Sequence, residues 1–71
     1  MKKFSIEKLP QRIKEKIECI TWNDGYTFDE DVLGEVWLKE GYEFGYDGSH
    51  CAVFSNRTDL IDLIDSEVVE S

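Results

Sequence analysis

The last sixteen residues before the C-terminal serine, SNRTDLIDLIDSEVVE (55–70), constrain the fold most. At 100° per residue, Leu60, Ile61, Leu63, Ile64 and Val68 fall on one arc, and Asp59, Asp62 and Asp65 on the opposite arc. Such a segment is an amphipathic helix that needs an apolar surface to cover. Ser55 or Asn56 is placed to cap it, and Asp59 lies in the first turn, where the helix dipole favours an anion. A second stripe runs near the start of the chain. Leu9, Ile13, Ile17 and Ile20 are four, four and three apart, which predicts a helix over roughly 9–20 with Pro10 in its first turn.

Between these segments the signals change to strands and turns. Asn23-Asp24-Gly25 marks a turn, flanked by Trp22, Tyr26 and Phe28. DEDVLGE (29–35) reads as a loop or a single helical turn. EVWL, YEFGY and HCAVF then read as three short strands, separated by turns that place Gly41 and Gly48 in the left-handed region. Residues 35–44 also parse as one long strand bulged at Gly41. Both parses give an antiparallel sheet. The expected fold class is α+β, ordered α-β-β-β-α: an N-terminal helix, a three-stranded antiparallel sheet and a C-terminal helix. Residues 1–71 form a single small domain, and both helices cover one face of the sheet.

Charge is the second constraint. The chain of 71 residues carries a net charge of −8, divided as +4 over residues 1–16 and −12 over residues 17–71. Such a field repels nucleic acid and anionic membranes and attracts basic partners. The expected partner is therefore a basic protein surface, with no direct nucleic-acid or membrane binding. MKKFSIEKLPQRIKEK lacks the apolar stretch of a signal peptide, which makes the cytoplasm the expected compartment, with Cys19 and Cys51 as reduced thiols and a Cys19–Cys51 bridge as the alternative.

Catalytic and metal chemistry find little support. In Ser49-His50-Cys51 the adjacent His and Cys point to opposite faces of a strand, so His50 is poorly placed to activate the thiol. Residues 29–40 match a calcium loop at Asp29, Asp31, Gly34, Val36 and Glu40, but Leu33 and Trp37 occupy positions where oxygen ligands belong. Neither a catalytic residue, a metal nor a cofactor is expected.

The acids point to binding instead. Asp59, Asp62 and Asp65 repeat at a helical spacing of about 5–6 Å, comparable to phosphates along a nucleic-acid strand. Asp29, Glu30, Asp31, Glu35, Glu40, Glu43 and Asp47 are expected to extend that row across loops and sheet, with Trp37 and Tyr46 as aromatic contacts. In size, charge and fold class, a chain with DEDVLGE and DLIDLIDSEVVE resembles the small inhibitor proteins of bacteriophages and mobile elements, such as anti-CRISPR proteins and other DNA mimics. The resemblance implies a non-enzymatic inhibitor in the host cytoplasm. Its partner would be a CRISPR effector complex, engaged at the lysines and arginines that bind DNA. The basic first helix confines the implied mimicry to one side. The alternative is a small adaptor or regulatory subunit that binds a protein through an aromatic patch of Trp37, Tyr42, Phe44 and Tyr46, rimmed by acids.

Overall fold

The computed structural model describes residues 3–71. A 3-10 turn (Ile6–Lys8) leads into α1 (Gln11–Lys14) and then β1 (Ile17–Trp22), β2 (Gly34–Leu38), β3 (Tyr42–Phe44), β4 (Cys51–Phe54), α2 (Arg57–Glu67) and β5 (Val68–Glu70). The class is α+β with antiparallel sheets. The layout differs from α-β-β-β-α: five strands form two sheets, one ordered β1-β2-β4 and the other pairing β3 with β5. The three expected strands are present, but β3 leaves the sheet of β2 and β4.

The first helix is much shorter than its apolar spacing predicts. It holds four residues, and Ile17–Trp22 is a strand. A helix of this length is marginal by itself in water. The β-branched Ile17, Ile20 and Thr21, with Trp22, favour the pleated alternative once β2 is available to pair. Leu9, Ile13 and Ile17 are nevertheless all buried, because turn, helix and strand face one core. Pro10 precedes the helix as its N-cap residue.

α2 forms largely where expected. Asn56 Oδ1 accepts the Asp59 N–H at 2.8 Å, and Asp59 Oδ2 accepts the Ser55 N–H at 2.9 Å. The first bond satisfies an N–H that the helix start leaves open, and the second ties the residue before the cap to the first turn. The helix ends at Glu67, and Val68–Glu70 continues as β5 beside β3. Two β-branched valines and acids at the unfavourable end of the dipole stop the helix there. Gly41 (φ +99°) and Gly48 (φ +71°) adopt the left-handed conformation their turns require.

One cluster makes the core. Leu60 and Ile64 of α2 meet Ile13, Val36, Phe44 and Phe54, all completely or almost completely buried. Burying a side chain of this size contributes about 1.5–3 kcal/mol relative to leaving it exposed. Phe4, Trp22 and Phe54 close one end of the core, with ring centroids 5.0–6.0 Å apart. Both helices lie on the inner side of the β1-β2-β4 sheet, whose inward residues are Ile20, Trp22, Val36, Leu38, Ala52 and Phe54.

The strand β2 also removes the calcium-loop reading. Residues 34–38 are extended and paired on both sides, so they cannot coil around an ion as that loop must. Among the described residues, no three His, Cys, Asp or Glu side chains are grouped to hold a metal, and no helix is long and apolar enough to cross a membrane.

Candidate partner-binding surface

Alternation along the three strands creates a second, uncovered face. Register places Cys19, Trp37 and Cys51 in one cross-strand row, and Thr21, Glu35 and Val53 in the next. These six side chains point away from the helices. Trp37 occupies the middle strand and is 39% exposed; Val53 is 48% exposed. Glu35 is the one charged side chain in the two rows. A partly exposed indole at the centre of a mainly uncharged face is the clearest binding feature of the fold.

The inner side of the same strands explains a local sequence choice. A Cβ on Gly34 would lie 2.8 Å from the Thr21 carbonyl oxygen and 3.3 Å from the Phe54 ring. Glycine therefore opens β2, leaving room for the Phe54 ring and keeping β1 close.

Seven of the ten acids expected to bind lie toward the two ends of this sheet. At the end defined by Trp22, Gly34 and Phe54 lie Asp29, Glu30 and Asp31, in the loop before β2, and Asp59 at the start of α2. The buried Asn23 shapes that loop. Its Nδ2 donates to the carbonyls of Asp29 (2.9 Å) and Val32 (2.7 Å). Asp24 accepts the N–H groups of Tyr26 and Thr27, which hold its carboxyl below the usual range. At the opposite end lie Glu40 in the β2–β3 turn, Glu43 on β3 and Asp47 in the next turn. Asp47 Oδ1 accepts the Ser49 N–H at 2.9 Å.

The expected row across helix, loops and sheet therefore does not form. Asp59, Asp62 and Asp65 are exposed on α2, in the layer behind the sheet, whereas Glu35 lies on the sheet's outer face. Asp65 is also paired. Arg12 Nε donates to its Oδ1 at 3.2 Å and Nη2 to its Oδ2 at 3.0 Å. That bidentate contact lowers the Asp65 pKa against an opposing desolvation, with the fields of Arg12 and Lys16 adding to the lowering, and raises that of Arg12.

The expected aromatic patch divides too. Phe44 is completely buried, Tyr42 is half-buried, and Tyr46 is 56% exposed in the turn after β3. Tyr46 packs on Phe44 with ring centroids 5.8 Å apart. Partial burial pushes its phenol pKa up, with smaller contributions from Asp47, Glu67 and Cys51. Only Trp37 of the four stands on the open sheet face. His50 Nδ1 donates to the Tyr42 carbonyl at 2.9 Å, and the Cys51 thiol lies 3.9 Å from Ser49 Oγ.

The sequence reading missed Cys19, Thr21, Cys51 and Val53 as neighbours of Trp37. The alternation of ECITW carried a signal for β1, but only cross-strand register brings these residues beside the indole. Scans against protein-family models, curated proteins and solved structures matched nothing.

Proposed function

We propose that this protein is a non-enzymatic acidic binding protein that attaches to a basic protein surface through its open sheet face. The observation that carries this reading is Trp37, exposed at the centre of β2 between Cys19 and Cys51. A partially exposed indole among small neighbours has the character of an interface anchor. The face spans only roughly 200 Å², taking four residues along three strands. A standard interface covers about 800 Å² per partner. The acids at both ends of the sheet supply the remaining contact, steer a basic partner and form the polar rim.

A second reading is a decoy for a nucleic-acid-binding groove, the activity implied by the resemblance to anti-CRISPR and DNA-mimic inhibitors. Asp59 and Asp62 favour it, because neither makes an ion pair among the described residues. Photo-crosslinking from position 37 and from position 62 in host cells tests the two readings together. The sheet-face reading expects crosslinks to a basic protein from position 37 and loss of that complex in Trp37→Ala. The decoy expects crosslinks from position 62, steep weakening by salt and loss in Asp62→Lys. No specific crosslink from either position would defeat both readings.

A further inference from the structure

We infer that the outer edge of β1 receives an extended segment of the partner as the fourth strand of the β1-β2-β4 sheet. This deepens the proposed function by specifying how the partner attaches beside Trp37. The inference begins with backbone register. Leu38 N–H donates to the His50 carbonyl at 2.8 Å and Lys39 N–H to the Lys16 carbonyl at 2.9 Å, so Leu38, Val36 and Gly34 turn their backbone groups toward β4, and Trp37 and Glu35 turn theirs toward β1. Antiparallel ladders alternate. The backbone groups of Thr21 and Cys19 therefore face β2, and those of Ile20 and Trp22 face outward. Among the described residues, no backbone or side-chain group outside β2 bonds to Ile20 or Trp22.

The inward side chains of β1 are also unfinished. Ile20 and Trp22 remain half-buried, whereas Val36, Leu38 and Phe54 on the neighbouring strands are buried. A strand placed alongside β1 covers both and extends the core. The opposite edge of the sheet is guarded. Ser49 Oγ donates to the Cys51 carbonyl at 2.9 Å and accepts the Cys51 N–H at 3.3 Å, occupying outward groups of β4. On β1 the only irregularity lies between Ile17 and Cys19, leaving Cys19–Trp22 regular.

Charge selects the occupant. Glu18 is exposed and Glu35 lies directly opposite Thr21; neither has an ion-pair partner among the described residues. A Lys or Arg opposite Thr21 on the incoming strand reaches over that small side chain to Glu35. Apolar residues on alternate positions cover Ile20 and Trp22. The occupant is thus a basic, alternating extended segment of a protein partner. A second copy of this chain fits poorly, because each copy carries a net charge of −8.

The test uses a short synthetic peptide alternating lysine and valine, and the same peptide with alternate backbone amides methylated. Adding the unmodified peptide should slow amide exchange of Ile20 and Trp22 by roughly tenfold. The methylated peptide should not. Ile20→Pro removes an outward N–H at an edge that tolerates proline and should abolish the protection. Thr21→Lys keeps the backbone intact, opposes the peptide's lysines and should weaken binding by up to about fivefold. The peptide reads the edge alone and crosslinking from position 37 reads the face, so either reading can fail without the other. Equal protection by the methylated peptide, or protection unchanged in both edge variants, overturns the inference. Peptide-independent protection accompanied by a dimer in sedimentation also overturns it, by making a second copy the occupant.

Discussion

Cys19 and Cys51 share the open face of the sheet, each directly opposite Trp37, with the full width of β2 between them. Two strand spacings separate their Cα atoms by about 9–10 Å. A disulfide requires less than about 7 Å. Both thiols should therefore be open to a thiol-specific reagent in the folded protein, with the exposed Cys19 reacting faster than the half-buried Cys51. Mild oxidation should produce no bridge within one chain. Thiol titration and intact mass under non-reducing conditions check this; an intramolecular bridge would require a different register.

Trp37 and Phe54 lie on opposite faces of one sheet, which separates binding from stability. Trp37→Ala should cost the isolated fold no more than about 1 kcal/mol, the scale of lost cross-strand contacts. It should weaken partner binding by about 2 kcal/mol or more, as for a central anchor. Phe54→Ala should cost about 3–5 kcal/mol of stability, because Phe54 is almost completely buried. Urea unfolding and partner titration of both variants measure the contrast.

The contact between Arg12 and Asp65 makes stability sensitive to acid. The folded-state pKa of Asp65 is lowered by Arg12, and that of Asp24 by the N–H groups of Tyr26 and Thr27. A depressed carboxyl contributes stability above its unfolded pKa, about 4, and loses it as pH falls through the folded value. Unfolding midpoints should drop from about pH 4 downward. Arg12→Gln should remove the Asp65 share of that slope, and Asp24→Asn the other share. Melting curves across that range check the sign; a slope unchanged in both variants would contradict these contacts.

Gly34 has no room for a side chain. Its Cβ would meet backbone at the Thr21 oxygen, 2.8 Å away, so Gly34→Ala must push β1 from β2 or tilt Phe54. A loss of about 1–3 kcal/mol is expected, as for other overpacked sites. Gly45→Ala is the control. Its Cβ would meet neighbours no closer than 3.4 Å, an ordinary contact. Denaturant midpoints should fall for the first variant and change little for the second.

Local chemistry was readable where one element decides the outcome. The apolar and acidic arcs of α2, its cap at Asn56, the strands at β2 and β4, and the turns at Gly41 and Gly48 all follow from periodicity or allowed backbone angles within a few residues. The stripe Leu9, Ile13, Ile17 correctly marked core residues but misassigned the element that carries the last of them. Helical spacing and a turn followed by a strand deliver the same three side chains to one interior. Ile17–Trp22 became a strand because β2 offered it a partner, a choice made by long-range pairing.

The sequence alone determined the mixed class, the net charge and most of the buried residues, since these depend on residue type and local period. Tertiary structure decided which strands share a sheet, which side chains stand beside Trp37 and where the acids lie. Cross-strand register has no local signature, and moving it by one residue exchanges the buried face for the exposed one. The same pairing separated Glu35 from the aspartates of α2, placing them in different layers of the protein.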